Sequence, residues 1–175
     1  MPSRYRVSCG WLVGGLVLLL SHPTAGALLL GAPLVAAGEL VRLWASGHIE
    51  KTQSLATGGP YAHTRNPLYV GSLLMALGVG IATASPWAVL AVAAYFAAFY
   101  PAVIREESRF LADKFAAEYA AWAAAVPAFL PRPWPAGPRA SRFAWRRVRL
   151  NREWRTVLAL PALLIVLYAR GRLAP

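Results

Sequence analysis

The sequence predicts an all-α fold, a polytopic membrane bundle of about five transmembrane helices with one amphipathic helix at the cytoplasmic surface. Hydrophobic residues make up 58% of the 175 residues and charged residues only 14%, which is too apolar for an ordinary soluble domain. Apolar runs of membrane-crossing length alternate with short polar segments. Basic residues avoid those runs and cluster between them, as positive-inside loops do. The length suits a single domain over residues 1–175.

The charge balance narrows the classes of partner. The 18 Lys and Arg against 7 Asp and Glu give a formal charge of +11. A nucleic-acid-binding protein would carry such charges on a water-soluble surface, so we expect membrane lipids and no nucleic acid as partners. The single cysteine, Cys9, excludes an intramolecular disulfide framework. The three histidines are too scattered to predict a metal site.

The N-terminal part predicts a helical hairpin. Arg4 and Arg6 precede the apolar run Cys9–Leu20, which fits either a signal peptide ending near residues 24–27 or a first membrane helix, and we favour the helix. The next run, Ala25–Trp44, is about 30 Å long as a helix and can cross a bilayer.

Two charged residues lie toward the end of this second run. Glu39 and Arg42 are three residues apart and therefore share one helical face. They predict either an interfacial salt bridge or part of the lining of a functional site, because charges in a membrane need a partner or a polar cavity.

A polar loop over residues 45–66 leads into a second hairpin. Gly58, Gly59 and Pro60 interrupt any regular helix, whereas Pro67 suits a first helical turn. Two further crossings follow, over Pro67–Ala84 and Trp87–Ile104.

An amphipathic helix is predicted directly after the fourth crossing, over Ser108–Val126. Its apolar residues recur at intervals of three or four, which places them on one stripe, and we expect that stripe to lie on the cytoplasmic membrane surface. The stripe consists of Leu111, Phe115, Tyr119, Trp122 and Val126.

The last part of the chain contains a proline-rich linker over residues 127–138, a basic segment over 139–155 and an apolar run over Thr156–Ala169. That run is short and contains Pro161, so it predicts either a fifth crossing or a re-entrant or interfacial helix. With the N-terminus inside, sixteen of the 18 Lys and Arg fall on the cytoplasmic side, which predicts this orientation.

On this topology the polar loop and the segment after the fourth crossing share one side of the membrane. Helices joined by a short turn are antiparallel neighbours, so we expect Glu107 to lie near Asn66. The carboxylates of Glu106 and Glu107 beside a tyrosine-containing loop predict a site for a polar or cationic ligand.

An ordered set of motifs resembles the isoprenylcysteine carboxyl methyltransferase and phospholipid methyltransferase family of integral membrane enzymes. The resemblance covers about Gly38 to Pro131, leaving a basic linker and a C-terminal hydrophobic helix over residues 132–175. The motifs are LATGGPY at Leu55–Tyr61, RNPLYVG at Arg65–Gly71, Glu106–Glu107, FAAEY at Phe115–Tyr119 and a terminal Pro131.

The resemblance implies a methyltransferase that uses S-adenosylmethionine, gives S-adenosylhomocysteine as product, and takes a lipophilic acceptor from the bilayer. The predicted catalytic residues are Glu106, as the best-placed base, and Arg105, as the basic residue nearest the family's substrate-binding position. The resemblance implies cofactor contacts at Gln53, Ser54, Leu55, Ala56, Tyr61, Asn66, Pro67, Leu68, Tyr69 and Glu107. Arg65 is interpreted as an anchor of the loop.

The chain departs from the family pattern at several positions. Asn66 replaces a histidine, which keeps hydrogen bonding but removes titration. Val103 stands where the animal prenylcysteine enzymes have a substrate-binding arginine, with Arg105 as the neighbouring basic residue. The acceptor therefore stays open among a carboxylate, a thiol and an amine, and an amine would use Glu106 as its base.

The candidate site residues also have structural interpretations that require no ligand. Tyr61 and Tyr69 suit a membrane boundary without any ligand. The two glutamates suit a solvated network of ion pairs at the membrane rim. We expect His48 and His63 to be exposed loop residues. We expect Tyr119 and Trp122 to be interfacial anchors.

At the level of the whole chain, the alternative to an enzyme is a non-catalytic scaffold or small transporter subunit with the same fold. The high Ala, Arg, Gly and Pro usage suggests a GC-rich bacterial genome and hence the inner membrane.

Overall fold

The computed structural model describes residues 2–50, 54–137 and 141–173. Within them it contains the helices α1 (Pro2–Leu19), α2 (Ala25–Ser46), α3 (Pro67–Ala82), α4 (Pro86–Ala125), α5 (Trp145–Leu150) and α6 (Trp154–Leu173). A short 3-10 helix covers Gly59–Ala62. The described part of the chain has no strand, which confirms the all-α prediction.

Among the described residues, three helices are long and apolar enough to cross a membrane, namely α2, α4 and residues Trp154–Arg172 of α6. The apolar part of α1, Tyr5–Leu19, and α3 are shorter. The run predicted over Thr156–Ala169 lies inside the continuous 20-residue α6 despite Pro161, which favours a full crossing over a re-entrant segment. These helices support an integral membrane bundle.

The chain forms two compact units. The first contains residues up to 38, 73–103 and those from 157 onward. In it α1 and α4 share a core of Val17, Ala88, Val92 and Phe96, against which residues of α3 pack.

The first unit also brings two helices unusually close. A Cβ atom on Gly31 of α2 would collide with the carbonyl oxygen of Gly78 in α3, so only glycine permits this approach. Outside these helices, the backbone N–H of His22 donates to the Thr83 carbonyl at 2.8 Å, which joins two turns.

The second unit contains residues 39–72 and 104–156. Its core holds the buried residues Ala45, Leu55, Tyr61, Tyr119, Trp122 and Val126. The stripe of the amphipathic helix therefore packs against the loop. Trp122 is 1% exposed, so it is a core residue rather than an interfacial anchor, and so is Tyr119. The loop supplies the apolar partners that membrane lipid was expected to supply.

The fourth crossing and the amphipathic helix are one element. Helix α4 continues through Arg105–Arg109, where two separate helices were expected. That segment contains only residues that a helix tolerates, so nothing in it ends the helix. The irregularity lies further on, at Ala116, where φ is 33° and ψ is −104°. This kink separates the first part of α4 from its last turns.

Candidate functional site

The loop before α3 has a fixed conformation built on turn residues. Gly58 is extended, and Gly59 has a φ of +57°, in the left-handed region that favours glycine. The His48 ring fills the space that a Cβ atom on Gly59 would need. Pro67 ends the loop as the first residue of α3, where its missing N–H costs nothing.

The predicted proline-rich linker runs beside this loop and holds it. The backbone N–H of Arg65 donates to the Pro127 carbonyl at 2.9 Å. The Asn66 side-chain amide donates to Ala128 at 2.7 Å, and the Thr64 hydroxyl donates to Phe129 at 2.8 Å. Two further backbone bonds join Arg132 to His63 and Ala136 to Ala62. This segment was expected only as a linker, yet it supplies hydrogen-bond partners for residues 62–66 of the loop.

Helix α4 holds the loop from another direction. Arg65 Nη1 donates to the Tyr119 hydroxyl at 2.8 Å, and the guanidinium lies 5.8 Å from the centre of the same ring. The Trp122 indole N–H donates to the Tyr61 carbonyl at 3.0 Å. These contacts are those of a loop anchor, the role assigned to Arg65.

The structure brings together two residues of the predicted cofactor set. The Tyr69 hydroxyl donates to Glu107 Oε2 at 2.8 Å. Tyr69 is part-exposed and Glu107 is exposed, so the pair is accessible to a ligand. Glu107 was expected to lie near Asn66, and its hydrogen-bond partner is Tyr69, one helical turn further on. The Asn66 amide N–H is engaged with the linker instead.

Tyr61 lies inside the core rather than at a membrane boundary. It is 7% exposed. Burial raises the pKa of its phenol well above the usual value, and the negative charge of Glu107 adds to this shift. The phenol therefore stays protonated and neutral at physiological pH.

The remaining predicted site residues are placed as follows. Gln53 lies outside the described residues. Ser54 is exposed, Leu55 is buried in the core, and Pro67 is buried. Ala56 and Leu68 are partly buried and pack against the same core.

Arg105 and Glu106, the predicted catalytic pair, are exposed on α4. Among the described residues neither takes part in an ion pair, and neither does Glu107. The alternative of a rim network of ion pairs around the two glutamates is therefore absent from this part of the chain. All three side chains face solvent and can meet a ligand.

A charge pair that the sequence did not reveal connects the C-terminal segment, residues 141–155, to the site. Arg42 binds Glu153 in a bidentate ion pair, with Nη2 to Oε1 at 2.7 Å and Nε to Oε2 at 3.2 Å. Nη1 of Arg42 donates to the Ser72 hydroxyl at 2.6 Å. The same nitrogen lies 3.5 Å from the Leu68 carbonyl. Arg42 thus fixes the first turns of α3, which carry Leu68 and Tyr69.

The expected salt bridge between Glu39 and Arg42 does not form, because Glu153 takes the guanidinium. Both carboxylate oxygens of Glu39 are buried and have no hydrogen-bond partner among the described residues. A glutamate 111 residues away offers both its oxygens to Arg42 instead.

Three more contacts hold the C-terminal segment against residues 46–58. Arg147 Nη2 lies 2.5 Å from Glu50 Oε1. The Asn151 amide donates to the Ser46 carbonyl at 2.9 Å. The Ser141 hydroxyl accepts from Gly58 N–H at 2.9 Å.

The two loop histidines differ from expectation. His48 is 6% exposed, with Nδ1 2.9 Å from the Trp44 carbonyl and its ring edge against Phe143, so its prediction as an exposed residue is wrong. The segment around Phe143 covers it. His63 is half-buried and its Nδ1 lies 2.9 Å from the Arg132 carbonyl.

The chemistry of these groups fits a cationic, hydroxylated ligand such as S-adenosylmethionine. An accessible carboxylate without a cationic partner among the described side chains attracts an ammonium or sulfonium group. The adjacent Tyr69 ring adds an aromatic surface. Nε of Arg65 is buried and has no hydrogen-bond partner among the described residues. The described residues contain no metal-ligand group of three or more His, Cys, Asp or Glu.

Comparison with known proteins gives one family and two relatives. The sequence profile of the phospholipid methyltransferase family matches residues 26–118. The cobalt-zinc-cadmium resistance protein CzcN of Cupriavidus metallidurans is 46% identical over 106 residues, 59% of this chain and 47% of CzcN. The nickel-cobalt-cadmium resistance protein NccN of Alcaligenes xylosoxydans xylosoxydans is 39% identical over 106 residues, 59% of this chain and 48% of NccN. The chain thus spans about half the length of these curated relatives. No solved structure matches it.

Proposed function

The chain belongs to the phospholipid methyltransferase family, whose profile matches more than half of it, and we propose that it transfers a methyl group from S-adenosylmethionine to a lipophilic acceptor. The observation that supports this most is the accessible Tyr69–Glu107 pair. It lies where a loop held by the linker enters α3. The site is proposed to face the cytoplasm from a bacterial inner membrane, because most basic residues lie in the segments assigned to that side.

The cofactor would be held by the loop and the two helices that flank it. Glu107 would bind the positively charged end, with Tyr69 fixing the orientation of the carboxylate. The backbone of residues 53–56 and the side chains of Tyr61 and Asn66 would supply the remaining polar contacts. Pro67 and Leu68 would supply apolar surface.

When bound, S-adenosylmethionine supplies a methyl group on a positively charged sulfur and leaves as S-adenosylhomocysteine. The protein's contribution is mainly positioning, because methyl transfer requires an aligned nucleophile more than strong acid or base. For an amine acceptor, Glu106 would accept the proton that the nitrogen releases. For a carboxylate acceptor, Arg105 would hold the anionic group.

Calorimetric titration of S-adenosylhomocysteine into the purified protein tests the cofactor. We expect saturable binding to the wild type and loss of most of it in Glu107→Gln. Glu118→Gln is the matched control, since Glu118 is also an exposed carboxylate of α4. Glu106→Gln is expected to bind S-adenosylhomocysteine as the wild type does and to lose methyl transfer to an amine acceptor. Absence of saturable binding heat in the wild type would refute the proposed enzymatic function and favour a non-catalytic scaffold or transporter subunit.

The acceptor is found by incubating the protein with membrane lipid extract and methyl-labelled donor, followed by mass spectrometry. A labelled lipid that is absent with Glu107→Gln would identify the acceptor and show whether a carboxylate, thiol or amine is methylated. A label only in water-soluble products would contradict a lipophilic acceptor.

The names of the two relatives favour a second, physiological proposal, that this methyl transfer contributes to tolerance of divalent metal ions. Growth of a deletion strain in cobalt, zinc or cadmium tests it. We expect wild-type protein, but not Glu107→Gln at equal expression, to restore growth. Equal restoration by both would separate tolerance from methyl transfer.

A further inference from the structure

Aromatic and basic side chains gather on one outward face of the C-terminal segment. Trp145, Arg146, Arg149, Leu150 and Trp154, here called the Trp–Arg face, line an open depression of about 860 Å³. The two tryptophans are 68% and 51% exposed and Leu150 is 64% exposed. Such side chains usually lie inside a protein, so their joint exposure indicates a surface that meets an apolar partner.

The same face carries uncompensated positive charge. Arg146 and Arg149 are exposed, and no acidic residue in the described part of the chain forms an ion pair with either. Glu153, the one acidic residue of the segment, is buried and binds Arg42. The face therefore combines apolar area with free guanidinium groups, which bind phosphate oxygens in a bidentate manner.

The Trp–Arg face is held in place rather than carried on a loose tail. Within the segment, Arg147 is paired with Glu50, the Ala144 N–H donates to Gly47 at 2.9 Å, and Asn151 is bonded to Ser46. The face also leads directly into α6, which begins at Trp154 and is long enough to cross a membrane. A residue at the start of a crossing helix lies at headgroup depth, where tryptophan and arginine are favoured.

We propose that the Trp–Arg face binds the headgroup of an anionic phospholipid of the surrounding leaflet. The guanidinium groups of Arg146 and Arg149 contact the phosphate, and Trp145, Leu150 and Trp154 lie against the upper acyl chains. Clusters of basic residues beside a crossing helix attract anionic lipids, and the aromatic side chains fix the depth at which they do so. This lipid is structural and distinct from the methyl acceptor, so the proposal does not depend on the proposed function.

Native mass spectrometry of the full chain, titrated in detergent with phosphatidylglycerol or phosphatidylcholine, tests the proposal. We expect the wild type to retain phosphatidylglycerol preferentially. Each arginine near a membrane surface contributes roughly fivefold in affinity, so Arg146→Gln/Arg149→Gln should weaken phosphatidylglycerol binding by about 25-fold and leave phosphatidylcholine binding unchanged. Arg170→Gln/Arg172→Gln in the last turn of α6 removes the same charge elsewhere and should bind nearly as the wild type does.

Several results would overturn the proposal. Equal losses in the two double variants would show that net charge alone, and not this face, attracts the lipid. Displacement of the lipid by millimolar glycerol phosphate would indicate a site for a soluble phosphate. Equal retention of the two lipids by the wild type would exclude a charge-selective site without reference to any variant. Thermal unfolding of each variant confirms that the compared proteins are folded.

Discussion

The ion pair between Arg42 and Glu153 gives a sharp test of how the C-terminal segment supports the site. Its side chains are 20% and 7% exposed, and three hydrogen bonds join them. Removing one partner from a buried ion pair costs roughly 3–5 kcal/mol, because the other charge is left without compensation. Glu153→Gln keeps one oxygen for the guanidinium, and Ser72 still binds Arg42, so we expect a loss of about 2–3 kcal/mol. At roughly 2–4 °C per kcal/mol, the melting temperature should fall by about 5–10 °C.

The matched variant is Glu50→Gln, which removes the partner of Arg147 from a more exposed pair. Glu50 is 37% exposed, and exposed pairs contribute roughly 0–1 kcal/mol, so its melting temperature should fall by no more than about 3 °C. Thermal unfolding followed by tryptophan fluorescence in one detergent measures both variants. Equal shifts would refute the reasoning, because they would mean that burial adds nothing to the ion pair.

Three further predictions concern the loop and its partners. Tyr69→Phe removes only the hydroxyl that binds Glu107 and should weaken S-adenosylhomocysteine about fivefold, the effect of one hydrogen bond of about 1 kcal/mol; unchanged calorimetric affinity would contradict this. His48→Ala should lower the free energy of unfolding by about 2–3 kcal/mol and His63→Ala by about 1 kcal/mol or less, as measured by chemical denaturation. The reverse order would show that the buried His48 ring does not stabilise the fold. The pKa of Tyr61 is raised in the folded state, so the contribution of its neutral phenol to the free energy of unfolding is complete below about pH 10 and is lost above it. Alkaline pH should therefore destabilise the wild type more than Tyr61→Phe. Parallel curves of stability against pH would refute this.

Local patterns in the sequence predicted the helices and the place where the loop begins α3. Pro67 is the first residue of α3, α2 begins with its apolar run at Ala25, and α4 begins at Pro86, one residue before the predicted start at Trp87. These features depend on neighbouring residues, which is why sequence alone reveals them. The Tyr69–Glu107 contact was close to the prediction, since the hairpin topology brought the start of α3 near Glu107.

The sequence did not reveal which segments cover the loop. Trp122 has the spacing of a membrane-facing stripe, and packing against loop residues such as Tyr61 makes it a core residue. His48 is hydrophilic by type and becomes buried because residues near Phe143 pack on it. Arg42 had an obvious partner in Glu39, yet it binds a residue far along the chain. In each case the partner is distant in sequence, and no local pattern contains that information.

The same distances set the order in which the site can assemble. The loop and Arg42 are synthesised early, but the loop receives hydrogen bonds from residues 127–136, and Arg42 its ion pair with Glu153, only much later. Contacts across long stretches of chain form slowly, and intermediates that await them expose surface to proteases and to aggregation. A nascent protein therefore passes through a stage in which its first helices are inserted and the loop lacks its hydrogen bonds to residues 127–136. Quality-control proteases would encounter that form first, so the abundance of the protein should depend on the last third of its sequence as much as on the family motifs.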